Sequence, residues 1–195
     1  MKYAFIVIAY QTPAAELQRL KKEITALGLD DWQLYVIDNT KNNRGFAAAV
    51  NSGLRKALAD KCSLFIVLNP DISFGQITGK DLLQVSQHFS LSGFAFHQDK
   101  QIYYGGEIDR WRMSGGLVTK KQSVRYKQVD YISGSLLIIR REVLEKGLFL
   151  PEDYFLYYED VDFCYQVYQS GFTVGIDSQR CYYHFERSDE LNLSK

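Results

Sequence analysis

The first 75 residues alternate between two hydrophobic periods, and that alternation restricts the chain to a parallel α/β sheet. Tyr3–Ala9 is an unbroken apolar run, the pattern of a strand buried on both faces. After Pro13, the residues Leu17, Leu20, Ile24 and Leu27 recur at helical spacing until Gly28. Residues 32–37 repeat the strand pattern and end in Asp38-Asn39. A polar loop at 40–44 leads into a second helical pattern over 45–59. Leu64–Leu68 gives a third strand, which ends in Asn69-Pro70-Asp71. This β-α-β-α-β order predicts parallel strands joined by right-handed crossovers.

Each predicted strand ends in polar residues: Tyr10-Gln11-Thr12, Asp38-Asn39 and Asn69-Pro70-Asp71. Ligands bind at that edge of open α/β sheets. Asx residues also start turns and cap helices, so any one end has a purely local explanation. Three together point to a nucleotide-sized cleft.

A second signal lies at 154–165, where Glu159, Asp160 and Asp162 sit among aromatic and apolar residues. Carboxylates in such company lose solvation and repel one another. They can hold a cation, accept a proton, or complement a helix dipole, which is worth about 0.3–1 kcal/mol per charge. A helix over 158–170, stopped by Gly171, would bury Val161, Cys164, Tyr165 and Tyr168. Glu159, Asp162, Gln166 and Gln169 would then face water. Asp160 falls on the border, a suitable position for a base.

The middle of the chain reads as a helix at 81–90 and strands at 93–96 and 101–105. Gly105-Gly106 and Gly115-Gly116 bracket a mobile flap that carries Trp111, able to stack on a sugar or to pack. A strand at 128–139 is broken by Ser133-Gly134-Ser135. A short helix at 142–146 and a late strand at 172–176 follow. Without linker or repeat, residues 1–187 read as one domain and 188–195 as a loose tail.

Apolar residues make up 46% of the 195, which excludes a disordered chain. Lys plus Arg equals Asp plus Glu at 23 each, so no net field attracts nucleic acid or an anionic membrane. One basic patch is expected around Arg110, Arg112, Lys120, Lys121, Arg125 and Lys127. Cys62, Cys164 and Cys181 are odd in number and widely spaced, consistent with reduced thiols in the cytoplasm. The apolar start lacks a signal-peptide cleavage site, and no run approaches the ~20 residues that span a bilayer.

Several nucleotide folds are excluded. Ala9-Tyr10-Gln11-Thr12-Pro13 stands where a dinucleotide-binding protein needs G-x-G-x-x-G, and no P-loop or G-x-S-x-G elbow occurs. The glycine- and Arg/Lys-rich loop of sugar nucleotidyltransferases is also missing. A bound diphosphate therefore needs another neutraliser, and a divalent cation is the natural one.

The chain resembles the inverting glycosyltransferases of family 2, with the GT-A fold: an α/β domain with one mixed, mostly parallel sheet flanked by helices. More narrowly, it resembles their bacterial rhamnosyltransferase-like branch. The resemblance spans residues 3 to about 187. It rests on Ile6-Val7-Ile8-Ala9-Tyr10, Val36-Ile37-Asp38-Asn39, the segment 43–53, Leu68-Asn69-Pro70-Asp71, Gly134-Ser135 with Arg140-Arg141, the segment 155–162 and His184.

The resemblance implies roles. Asp38 would accept a hydrogen bond from the base N3–H of a UDP- or dTDP-sugar. Asn43 to Asn51 would shape the nucleotide side, with Gly45 admitting the ligand close to the backbone. Asp71 and His184 would hold Mn²⁺ or Mg²⁺. Asp160 would be the catalytic base, with Glu159 and Asp162 in support. Ala9, Tyr10, Thr12, Asn69, Gly134 and Trp111 complete the expected substrate contacts. The implied acceptor is a surface glycan or its lipid-linked precursor, met in the cytoplasm or at the inner face of the membrane, with at most peripheral contact. Asn69 replaces the first acid of the usual Asp-x-Asp, which removes one negative ligand. That change and the short C-terminus keep a catalytically weak sugar-nucleotide-binding module as the alternative, beside a sugar nucleotidyltransferase.

Overall fold

The computed structural model describes residues 1–109, 111 and 114–185; Arg110, Arg112 and the expected tail at 188–195 lie outside them. The opening alternation forms as expected: β1 (Tyr3–Ala9), α1 (Ala14–Ala26), β2 (Trp32–Asp38), α2 (Phe46–Ala59) and β3 (Leu64–Leu68). β1 is buried at every position and pairs in parallel with both β2 and β3. There follow β4 (Ile72–Ser73), α3 (Gly79–His88), β5 (Leu91–Gln98), β6 (Gln101–Tyr103), β7 (Gly106–Asp109), β8 (Ser114–Leu117), β9 (Tyr126–Gln128), β10 (Leu136–Arg140), α4 (Arg141–Glu145), α5 (Glu159–Gln169) and β11 (Val174–His184). The main sheet has the order β2-β1-β3-β10-β5-β11-β4, with β6 added on β5 and β9 on β11.

One antiparallel strand decides where the chemistry-bearing residues meet. β10 runs against both β3 and β5, and Leu136 lies opposite Leu68. β10 therefore begins where β3 ends. β5 runs in the same direction as β3, and β11 is parallel to β5. Ala9, Asp38, Leu68, Gln98 and His184, together with the start of β10, consequently share one edge.

Alternation along β1 builds two cores. Ala4, Ile6 and Ile8 face Val50 and Leu54 of α2 and Phe163 and Val167 of α5. Phe5 and Val7 face Leu20 and Ile24 of α1 and Leu82 and Val85 of α3.

Four expectations change. The late strand, expected at 172–176, runs to His184 through an irregularity between Asp177 and Cys181. Side chains support that bulge: Ser178 Oγ donates to Val124 O at 2.6 Å, Arg125 Nε to Asp177 Oδ2 at 2.9 Å, and Arg180 Nε to Asp81 Oδ1 at 2.8 Å. Arg125, expected in an open basic patch, thus belongs to an ion network around two buried carboxylates. The expected flap is an antiparallel hairpin of β7 and β8, and a Cβ on Gly106 at its base would lie 2.0 Å from the Tyr131 ring.

The fourth change is the rotation of α5. Glu159, Phe163, Cys164 and Val167 are its buried residues, whereas Tyr165 and Tyr168 are 40% and 44% exposed. Their hydroxyls favour a wet edge, so counting them as apolar turned the expected stripe the wrong way. Glu159, expected to face water, is inside. Phe163→Ala is therefore expected to cost about 3–5 kcal/mol in urea unfolding. Tyr165→Ala should stay within about 1 kcal/mol; the reverse ranking would restore the expected face.

Candidate active site

The nucleotide side of the edge is built by Asp38 and the loop after it. Asp38 is exposed, and its Oδ1 accepts from Thr40 N at 2.9 Å. That bond holds its carboxyl below the usual range, so it is an ionised acceptor at neutral pH. Thr40 Oγ1 accepts from Gln11 N at 3.0 Å, and Asn39 N donates to Ala9 O at 2.8 Å, which joins the ends of β1 and β2. Tyr10 is exposed above this junction, and Thr12 Oγ1 donates to the Tyr10 carbonyl at 3.4 Å.

Asn39, given no role of its own by sequence, organises the loop. Its buried amide donates to Asn43 Oδ1 at 2.9 Å and to Gly45 O at 3.2 Å, while its Oδ1 accepts from Arg44 N. Asn43 Oδ1 also accepts from Gly45 N. An Asx residue closing a strand is the signal that could have revealed it.

Two expected nucleotide contacts are redirected. Gly45 sits at φ 89°, and a Cβ there would be 2.7 Å from the Phe155 carbonyl, which accepts from Phe46 N at 3.1 Å. The close approach that Gly45 permits is that of Phe155. Asn51 is buried, with its amide bound to Leu150 O and Glu152 Oε1 and its Oδ1 accepting from Leu150 N. It anchors a loop 99 residues away and does not face the nucleotide side.

Asp71 and His184 do come together, with Nε2 of His184 3.5 Å from Asp71 Oδ1. Asn69 Nδ2 lies 3.5 Å from the same nitrogen, and His184 Nδ1 lies 3.0 Å from Gln98 Oε1. Asp71 Oδ1 is buried without a hydrogen-bond partner among the described residues. An orphaned carboxylate oxygen facing an imidazole nitrogen fits a divalent cation. Among the described residues no third His, Cys, Asp or Glu joins them; a diphosphate would have to complete the shell.

Asp160 is mostly buried at the start of α5. Its Oδ2 accepts from Gly134 N at 2.7 Å and its Oδ1 from Val161 N at 2.8 Å. Burial raises its pKa against the pull of those two bonds. Glu159 is only 5% exposed, its Oε2 has no partner among the described residues, and burial followed by the Asp160 charge raises its pKa too. Tyr131 beside them is pushed up to about 12 by burial and by Asp160. Asp162 instead accepts from Gln166 on the same helix. The turn before β10 links both halves: Gly134 holds Asp160, and Ser135 O accepts from Asn69 N at 3.0 Å. Trp111 is 95% exposed at the hairpin tip, which removes the packing alternative.

The sequence pattern of glycosyl transferase family 2 matches residues 6–148. The chain belongs to glycosyl transferase family 2. The low-salt glycan biosynthesis hexosyltransferase Agl10 of Haloferax volcanii is 26% identical over 147 residues, 68% of this chain and 46% of that protein. The chain thus spans about half the length of this relative. GalNAc-T7, crystallised with UDP, GalNAc and Mn²⁺, superposes with a TM-score of 0.64 at 13% identity over 96% of this chain and 44% of its own. A197 from STIV gives 0.62 at 15% identity over 95% and 86%; residues 1–349 of S. aureus TarS, in complex with UDP, give 0.60 at 15% over 95% and 61%. These likenesses establish the GT-A fold. The family 2 match stops short of Glu159, Asp160, Asp162 and His184.

Two measurements follow from the geometry. Gly45→Ala combines a left-handed φ with a backbone clash, and should cost at least about 2 kcal/mol. Faster amide exchange at 154–158 would show that the contact with Phe155 is the one broken. Glu159→Gln tests the buried acid. Its raised pKa means the folded chain holds this proton more tightly than the unfolded one. The stability from this group is fully present below the ordinary glutamate range and is lost as pH rises through the raised value. Glutamine mimics the protonated form, so melting curves should show a gain on the order of 1 kcal/mol at pH 8 that vanishes in acid. A gain of equal size at every pH would contradict the burial of charge.

Proposed function

We propose that this chain transfers a sugar, with inversion at the anomeric carbon, from a UDP- or dTDP-sugar to a hydroxyl of a glycan or its lipid-linked precursor. The observation that carries this reading is the Ser133-Gly134-Ser135 turn, hydrogen-bonded to Asp160 on one side and to Asn69, two residues from Asp71, on the other. Base and diphosphate side are thereby fixed by one short segment.

In this mechanism Asp38 accepts the N3–H of the pyrimidine. Asp71 and His184 would hold Mn²⁺ or Mg²⁺, which when bound neutralises charge on the diphosphate. Asp160 takes the acceptor proton as the new glycosidic C–O bond forms, the bond from C1 to the diphosphate breaks and the diphosphate leaves. Its raised pKa makes it a stronger base than a solvated aspartate. The UDP in the GalNAc-T7 and TarS structures and the Mn²⁺ in the former support donor and cation. Asn69-Pro70-Asp71 supports the narrower rhamnosyltransferase-like assignment.

For the acceptor, the exposed rings of Tyr154, Phe155, Tyr157 and Tyr158 lead directly to Asp160. Tyr157 and Tyr158 adopt φ 70° and 68°, a strained pair of the kind found at ligand sites. Aromatic faces suit sugar rings. We read residues 1–187 as one catalytic unit acting in the cytoplasm or at the inner membrane face. Among the described residues no helix is long and apolar enough to cross a membrane. The pairing of Asp71 and His184 without a third ligand among the described residues keeps a donor-binding module as the second reading; donor hydrolysis with and without metal separates the two.

Asp160→Asn should melt cooperatively, bind UDP in calorimetry much as the unsubstituted chain does, and lose transfer by at least about 10²-fold. Glu159→Gln should lose less. Normal transfer by both variants would reduce the acidic cluster to a helix start and refute the mechanism.

A further inference from the structure

We propose that Gln98 is a positioning residue that sets the tautomer of His184 and thereby makes its Nε2 a metal ligand. The inference rests on the reading of Asp71 and His184 as a divalent-cation site. Strand register brings the three residues together. β5 and β11 run in parallel with Tyr183 beside His97, so one residue further along His184 stands beside Gln98. β11 pairs on its other side with β4, His184 beside Ile72, and Phe185 N donates to Asp71 O at 3.0 Å. His184 is thus held between Gln98 and Asp71.

The hydrogen bonds fix the proton. Gln98 Oε1, 3.0 Å from His184 Nδ1, can only accept, so Nδ1 carries the hydrogen. A neutral imidazole has one such hydrogen, which leaves a lone pair on Nε2. One neighbour of Nε2 agrees, and the other leaves room for a cation. The Asn69 amide approaches it as a donor at 3.5 Å, and Asp71 Oδ1 remains without a hydrogen-bond partner although it faces Nε2.

Gln98 is itself well fixed. It ends β5 opposite Gln101, across a two-residue turn in which Asp99 and Lys100 both have positive φ, 48° and 67°. That is the tight hairpin geometry matched to strand twist. Phe96 meets the His184 ring edge-on at 6.4 Å and restricts its rotation. The nitrogen that a ligating histidine does not use commonly donates to such an acceptor, and losing that partner costs about 10–100-fold in metal affinity.

The test reads the tautomer and the metal, not transfer. Long-range ¹H–¹⁵N spectra of the metal-free chain should show His184 protonated at Nδ1; protonation at Nε2 overturns the proposal and needs no variant to fold. Mn²⁺ titrated in the presence of UDP and followed by electron paramagnetic resonance should bind about 10–100-fold more weakly to Gln98→Leu. Gln98→Glu, which keeps an acceptor, should bind at least as tightly as the unsubstituted chain. If Gln98→Leu binds Mn²⁺ normally while His184→Ala loses it, the cation site stands and the role of Gln98 is refuted. If Asp71→Ala and His184→Ala also bind normally, the cation reading itself fails and the proposal fails with it.

Discussion

The hydrogen bond from Gly134 N to Asp160 Oδ2, at 2.7 Å, is the contact on which the site depends. Asp160 is mostly buried, and burial penalises its charge by several kcal/mol in a real protein interior. The bonds from Gly134 and Val161 each return about 1.5–3 kcal/mol to the ionised form. Burial outweighs those bonds, so the carboxyl titrates above its ordinary value. That balance suits a base, because the carboxylate is less stabilised than that of a solvated aspartate. The turn that supplies Gly134 is anchored from below, since Ser135 Oγ lies 2.6 Å from the buried Tyr182 hydroxyl and 2.9 Å from Ser133 Oγ.

Why this turn stands at the ligand edge is a matter of topology. A strand inserted in parallel between β3 and β5 would begin at the far edge of the sheet. Because β10 is antiparallel, its first residue opposes the last residue of β3, and the three residues before it lie among the carboxyl ends of the parallel strands. The same reversal keeps β5 and β11 running with β3, so Gln98 and His184 finish beside Asp71. One strand direction thus brings Asp160 of α5 to the same edge as Asp71, in the turn before β4, and His184, at the end of β11.

Much of this was legible in the sequence where the determinants are local. The apolar runs of β1, β2 and β3 and their polar ends predicted three parallel strands and the ligand edge. Asp71, His184 and Asp160 were recognisable because their types and order match a family pattern. What escaped depends on partners far away in the chain. Asn51 looked like part of a cleft, but its partner is Leu150. Gly45 looked like a ligand contact, but Phe155 fills the space its missing Cβ leaves. The length of β11 was hidden because its bulge is held by Arg125, Val124 and Asp81, none adjacent in sequence. The face of α5 was misread because tyrosine is apolar in composition but amphipathic in position.

The buried orphan oxygens, Asp71 Oδ1 and Glu159 Oε2, lie on either side of the same turn's partners, and both belong to acids. A nucleoside diphosphate entering this edge brings further negative charge. Like charges ~4 Å apart at an effective dielectric of about 20 repel by roughly 4 kcal/mol. Among the described residues, Arg19 pairs with Glu23 and Arg44 with Glu152. On the proposed reading, a divalent cation held by Asp71 and His184 would offset that charge. Glu159 has no such neighbour. Its neutral form is the one burial favours, and the neighbouring Asp160 charge acts in the same direction. Burial thus raises the pKa of both members of the acidic cluster, and only Asp160 has two backbone donors to oppose it.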